Sequence, residues 1–229
     1  MSIAARLYEV RARIADAARL PGGADGVKLV AVSKRHPPEA IREAYAAGQR
    51  AFGENYVQEL VAKAEALADL PDIVWHFVGH LQTNKAKAAA KVAHVVHTID
   101  SAALAKELGR RAAARPTGAV GPAPLPVLIE VNVGGEPQKA GATPSEIDEV
   151  MAAIREQPSL VLRGLMTMPP AGDLDAARKV FETLALLRNL HGGASALPEL
   201  SMGMSSDLEV ALACGATMVR VGTAIFGPR

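Results

Sequence analysis

Eight strand-like runs alternate with helix-like runs from residue 27 onward, and that alternation leaves few folds open. The runs are Val27–Lys34, Ala51–Asn55, Ile73–His80, His94–Asp100, Pro126–Val133, Val161–Met168, Leu200–Gly203 and Met218–Phe226. Several are continuously apolar, as strands buried on both faces must be. Amphipathic helices with legible starts lie between them. Asn55, with Gln58 three residues later, reads as a capping box before Leu60, Val61 and Ala64. Thr143-Pro144-Ser145-Glu146 adds proline at the first helical position, and Ser206-Asp207-Leu208-Glu209 repeats the pattern. Gly48 and Gly192 read as helix stops. Such an order in 229 residues predicts an α/β fold, a single (β/α)8 barrel spanning residues 1–229, rather than an open sheet. Because the last run ends three residues before Arg229, no helix is expected after it. A spare helix, Ile3–Leu20, precedes the first strand. Its stripe of Ile3, Leu7, Val10 and Ile14 suits burial over the seam where first and last strands meet. The Pro116–Pro126 stretch reads as a surface loop, not a domain boundary.

Composition narrows the function classes. The net charge of +1 gives no electrostatic case for nucleic acid or an acidic membrane surface. No run approaches the roughly 18–20 apolar residues of a membrane span, and the amino-terminal pattern lacks the apolar stretch of a signal peptide. One cysteine, Cys214, excludes an internal disulfide and fits a reducing cytoplasm. A cytoplasmic monomer is the expectation, with no metal. Aromatics are only 3%, so aliphatic residues and alanine must build the core.

In barrels of this kind, functional residues gather where strands end and loops begin. Lys34 ends the first strand, where poor access to water lowers an amine's pKa and makes it a candidate Schiff-base nucleophile. It reads equally as a solvated or snorkelling side chain. Asn55 ends the second strand, as a ligand contact or a helix cap. His80 ends the third, Asn132 lies near the end of the fifth and Met166 near the end of the sixth. His76 and His80 also read as satisfied barrel histidines, and Met166 and Met168 as core. After strands seven and eight come Ser201, Ser205 and Thr223, which carry hydroxyl donors, and Gly203 and Gly222, which let an anion approach the backbone. Ser206-Asp207 opens a helix whose first amides attract anions, with the Asp207 carboxylate expected to face away. A plain tight turn is the alternative. Arg220 lies on the same side of its strand as Gly222 and stays protonated at ordinary pH. It reads either as a salt bridge at the rim or as a cation beside a ligand. A lysine and a phosphate cradle on one mouth point to pyridoxal 5'-phosphate.

The same residues carry a family resemblance. Ala31-Val32-Ser33-Lys34, Phe52-Gly53-Glu54-Asn55-Tyr56-Val57-Gln58-Glu59, Trp75-His76-Phe77-Val78-Gly79-His80-Leu81-Gln82-Thr83-Asn84-Lys85, Gly164-Leu165-Met166-Thr167-Met168, Leu200-Ser201-Met202-Gly203-Met204-Ser205-Ser206-Asp207 and Met218-Val219-Arg220-Val221-Gly222-Thr223-Ala224-Ile225-Phe226-Gly227 resemble the YggS/PROSC family of pyridoxal phosphate homeostasis proteins. The resemblance runs through the whole chain in order. It departs only at the Pro228-Arg229 tail and in the variable loop Gly134–Gly141. It implies a barrel like the amino-terminal domain of alanine racemase, the type III fold of pyridoxal phosphate proteins, with the cofactor as a Schiff base on Lys34. Ser201, Gly222 and Thr223 then hold the phosphate with Ser205 contributing. Arg220 faces the ring nitrogen and keeps it unprotonated, Asn55 lies near the ring, and Met166 completes the expected cofactor contacts. The implied function is buffering the cofactor or delivering it to apo-enzymes, without turnover. The rival is a small amino-acid racemase on the same barrel. The expected discriminators are the lack of a second β-rich domain and the placement of Tyr8, Tyr45 and Tyr56 in helix-like segments, which leaves no evident second proton-transfer residue. A barrel holding another phosphorylated metabolite without a covalent bond is a third reading.

Overall fold

The computed structural model describes residues 1–18, 26–115, 124–136 and 140–228. Arg19 and Leu20 of the expected first helix, most of the Pro116–Pro126 loop, residues 137–139 and Arg229 lie outside them. Eight parallel strands form a closed barrel in chain order. They are β1 (Lys28–Val32), β2 (Ala51–Glu54), β3 (Val74–Phe77), β4 (Val95–Ile99), β5 (Leu125–Glu130), β6 (Leu160–Met166), β7 (Glu199–Ser201) and β8 (Met218–Val221). Closure comes from β1 beside β8, with Lys28 opposite Met218 and Val30 opposite Arg220. Around them run α1 (Ile3–Ala18), α2 (Pro38–Ala46), α3 (Val57–Ala66), α4 (Ala86–Val92), α5 (Ala102–Ala113), α6 (Ile147–Arg155), α7 (Leu174–Leu190), α8 (Gly193–Ala196), α9 (Leu208–Ala213) and α10 (Thr223–Phe226).

Every expected strand is present with its carboxyl end trimmed, and β5, β6 and β7 each begin one residue earlier than expected. One detail is corrected. The last strand stops at Val221, and a single helical turn, α10, follows it, because the Ile225 and Phe226 amides both donate back to the Gly222 carbonyl. The Thr143–Glu146 capping box forms as read from sequence, with both reciprocal bonds.

Helix α1 covers the seam. Leu7 and Val10 are buried, Ile14 and Ala17 nearly so, and the helix packs on α2, α9 and α10, which flank β1 and β8. Polar straps hold it from both sides. The Ile3 amide donates to Glu43 Oε1 of α2 at 2.8 Å, and Arg13 Nε donates to Glu209 Oε1 of α9 at 2.7 Å.

Alternation along each strand separates two interiors. Ala31, Phe52, Trp75, Phe77, Val96, Ile129, Leu165, Leu200 and Val219 face outward into one apolar cluster beneath the helices. The opposite parity fills the lumen with Val30, Val32, Leu128 and Met166, but also with His76, His97, Glu130, Ser201 and Arg220, all buried. The outer shell is aliphatic as composition requires. The lumen is polar towards its carboxyl end, where a ligand would be received.

Candidate functional site

A cavity of about 220 Å³ opens at the carboxyl ends of the strands, lined by Val32, Lys34, Asn55, Val78, Met168, Met204, Ser205, Ser206, Arg220, Gly222 and Thr223. Six of the expected site residues, Lys34, Asn55, Ser205, Arg220, Gly222 and Thr223, therefore share one wall. Met166 and Ser201 do not line it. Both are fully buried in paired strand ends of the lumen, and the Ser201 hydroxyl is engaged by Arg220 Nη1 at 2.7 Å and His97 Nδ1 at 2.9 Å. The Ser201 hydroxyl is thus engaged within the lumen, below this cavity.

Lys34 lies two residues past the end of β1, half-buried in a turn rather than on the strand itself. That turn is anchored from behind. The buried Lys63 ammonium of α3 donates to the Ser33 carbonyl at 2.8 Å, to Glu54 Oε1 at 2.8 Å and to Glu59 Oε2 at 2.7 Å. Ser33 Oγ donates to the same Glu54 oxygen at 2.7 Å. Burial pushes the Glu54 carboxyl up against the opposing pull of Lys63 and Ser33. Arg35, next in the chain, adopts φ 63°, uncommon for a residue with a side chain, and its amide is held by Glu59 Oε2 at 2.7 Å. A buried cation thus fixes the peptide on either side of Lys34.

Asn55 does not cap α3. Tyr56 holds the cap position and no side chain caps the helix. Asn55 Oδ1 is instead buried without a hydrogen-bond partner, which costs free energy unless something in the cavity supplies a donor. Gly79 makes this placement possible, since a Cβ there would sit 2.1 Å from the Asn55 carbonyl oxygen.

The opposite wall is a small-residue turn. A Cβ on Gly222 would lie 3.0 Å from the Val32 carbonyl, so only glycine lets β8 leave the sheet this close to β1 without displacing it. Ser205 Oγ accepts the Ala224 amide at 3.3 Å and keeps its own proton to donate. Thr223 is exposed towards the opening. The capping box expected at Ser206-Asp207-Leu208-Glu209 does not form: Asp207 rather than Ser206 holds the cap position of α9 and gives no side-chain cap, its Oδ1 accepting the Met204 amide at 2.5 Å instead.

Arg220 forms the floor. Besides Ser201, its Nη2 donates to the Thr167 carbonyl at 2.9 Å. Burial lowers its pKa to about 10, with Glu130 and Asp207 opposing the fall, so it remains a cation near neutrality. Beneath it a chain of hydrogen bonds continues from Ser201 to His97 and from His97 Nε2 to His76 Nδ1 at 2.8 Å. Burial holds both rings neutral, His76 down to about 3 and His97 well below its ordinary value. His80 is instead exposed at the rim, 3.3 Å from Asp100. Lys63, Glu54, His97 and Glu130 escaped the sequence reading. Their one signal was a polar residue inside an otherwise apolar strand or on the buried face of a helix.

The histidine pair gives a signed pH dependence. A ring with a depressed folded pKa stays neutral in the fold but takes up a proton once unfolded below its ordinary pKa near 6.5. Stability is therefore expected to be full above that value and to fall as pH drops, by about 2 kcal/mol at pH 5 for each such histidine. Urea titrations of the wild type and His76→Gln between pH 7 and pH 5 check this. A variant that loses as much stability as the wild type would count against it.

The family profile for the alanine racemase N-terminal domain matches residues 6–229. The pyridoxal phosphate homeostasis protein of Pseudomonas aeruginosa is 45% identical over 231 residues, covering 100% of this chain and 96% of that one. The protein of the same name from Escherichia coli K12 is 43% identical, with 99% and 97% covered. Among solved structures, PipY of Synechococcus elongatus with pyridoxal phosphate bound superposes with a TM-score of 0.81 at 40% identity, covering 99% of this chain and 100% of that one. Alanine racemase from Corynebacterium glutamicum, 21% identical with a TM-score of 0.66, shares the barrel over 95% of this chain and 61% of its own. With a full-length match in sequence and a common fold, this chain belongs to the alanine racemase N-terminal domain family and, within it, to the pyridoxal phosphate homeostasis proteins.

Proposed function

We propose that this chain binds pyridoxal 5'-phosphate and serves its homeostasis, holding the cofactor reversibly for delivery to apo-enzymes. The observation that carries the reading is the convergence, on one cavity, of a single lysine, a guanidinium and a glycine–hydroxyl turn. The residues fit the group. Lys34 supplies the amine for the aldehyde, and Ser205, Gly222 and Thr223 supply hydroxyls and close backbone approach for the phosphate. Asn55, with its orphaned oxygen, would sit beside the ring, and Arg220 would face the pyridine nitrogen. Ser201 and Met166 support from below, Ser201 by fixing the direction of Arg220. When bound, the cofactor supplies a reactive aldehyde and an electron-accepting ring. Arg220 keeps the ring nitrogen from taking a proton, since two adjacent cations repel where water screens poorly.

The chain is further proposed to lack substantial racemase, transaminase or decarboxylase activity. Relatives carry homeostasis names. Among the described residues lining the cavity, no tyrosine, histidine or carboxylate stands opposite Lys34 to exchange a proton. A single barrel acting as a monomer in the cytoplasm completes the reading. Among the described residues no helix is long and apolar enough to cross a membrane.

Three outcomes are expected. Lys34→Ala should abolish the yellow, borohydride-reducible adduct while the far-ultraviolet spectrum and melting curve are kept; a variant that stays fully yellow would remove Lys34 from its role. Thr223→Val keeps shape and removes one donor to a charged group, worth roughly 1.5–3 kcal/mol, so cofactor affinity should fall about one to two orders of magnitude. An unchanged affinity would place the phosphate elsewhere. In deuterated water, common L-amino acids incubated with the loaded protein should keep their α-hydrogen. Enantiomer-scrambling exchange at about 1–1000 per second, the range of enzymes, would favour the racemase.

A further inference from the structure

A second cavity, of about 280 Å³, adjoins the first across Met168 and lies between the loops that follow β5 and β6. Glu130, at the end of β5, lines it and is only 2% exposed. Its Oε2 is buried with no hydrogen-bond partner. The polar neighbours are committed elsewhere. Thr167 Oγ1 donates to the Val131 carbonyl at 2.8 Å, and the Asn132 amide is bonded in both directions to the Glu136 backbone, at 2.8 and 3.2 Å. Arg220 acts on Glu130 through space, while its two terminal nitrogens, Nη1 and Nη2, donate to Ser201 and Thr167. A buried carboxyl left in this condition is costly and marks a place where a ligand supplies the missing donor.

The charge around the cavity selects the ligand's sign. Glu136 lines it too, and Asp100 lies close enough to push the Glu130 carboxyl up. Among the described residues that line it, the one basic side chain, His80, already faces Asp100 at 3.3 Å. An anion would meet the buried Glu130 carboxylate on the wall, with Asp100 close behind it. The rest of the wall is apolar, including Val131, Val133 and Pro169. We infer that this cavity is a binding site for a small organic ammonium, its nitrogen donating to the Glu130 carboxylate and its short apolar tail resting on Val131, Val133 and Pro169. The site stands apart from Lys34 and does not require the cofactor.

The electrostatic surroundings of Glu130 agree with the geometry. Burial, with Asp100 adding to it and Arg220 opposing, raises Glu130 to about 7. The charged groups facing it are Arg220 on β8, Asp100 after β4, His80 after β3 and Glu136 after β5. An alkylammonium stays protonated through this range, so its affinity should follow ionisation of Glu130 and fall about tenfold from pH 8 to pH 6.

The test is calorimetric titration of cofactor-stripped Lys34→Ala protein, in which no aldehyde can react, with 3-methylbutylammonium as the probe. Binding should be saturable at pH 8, weaken about tenfold at pH 6, and drop at least tenfold in the Lys34→Ala, Glu130→Gln double variant. 3-Methylbutan-1-ol and 3-methylbutanoate, with the same tail and no cation, should not compete. No binding of the ammonium, equal binding by the alcohol, or an affinity untouched by both pH and Glu130→Gln would each overturn the inference. The pH series on unaltered Glu130 decides the matter should the double variant fold poorly. None of these results bears on whether Lys34 holds the cofactor.

Discussion

A guanidinium stripped of water at the axis of the barrel governs what lies above and below it. Removing Arg220 from solvent is expensive, and the lumen offsets that cost with a hydroxyl, a carbonyl and the fields of two carboxylates. Those partners come from β7, from the turn after β6, from the end of β5 and from the start of α9. One cation therefore ties together the strands from β5 to β8, half of the barrel. The histidine chain below is a consequence. Ser201 accepts from Arg220 and has one proton of its own to give, and His97 then His76 carry that polarity down through a lumen that could otherwise have been aliphatic.

A second buried cation performs the matching task on the other wall. Lys63 neutralises Glu54 and Glu59 while gripping the Ser33 carbonyl, so the turn bearing Lys34 is fixed by charge rather than by strand pairing. One cluster lies at the floor of the cavity and the other behind the turn that bears Lys34. Both are built from groups whose loss would leave an uncompensated neighbour, which makes the site rigid without contact from any ligand.

The architecture was legible because it rests on period and order. Strands buried on both faces show as apolar runs, and eight of them separated by helices admit few closures. Lys34, Asn55, Arg220 and the Gly222-Thr223 turn were legible because strand ends in such a barrel converge. What escaped depends on partners distant in sequence. Nothing near Asn55 says that Tyr56 takes the cap, and nothing near Ser201 says that Arg220 and His97 claim its hydroxyl. Glu130 and His97 each interrupt an apolar strand by one residue, and only the parity of closed strands puts them on the same axis. Lys63 looked like one more lysine on a helix surface; its burial follows from where Glu54 emerges beneath it. The end of β8 was misread because Val221 to Phe226 is apolar whether extended or coiled into one turn.

The covering of the seam carries a consequence for how the chain is made. Arg13 meets Glu209 at a sequence separation of 196, and α1 finds most of its cover on helices that follow β7 and β8, with α2 supplying the rest. On a ribosome, α1 can meet α2 early but must wait until nearly the whole barrel has emerged before its cover is complete. Contacts so distant in sequence form slowly, and exposed apolar surface invites misassembly in the interval. The strap that seals the finished barrel is thus also its longest-lived liability during synthesis, a stretch for chaperones to shield until the last strand arrives.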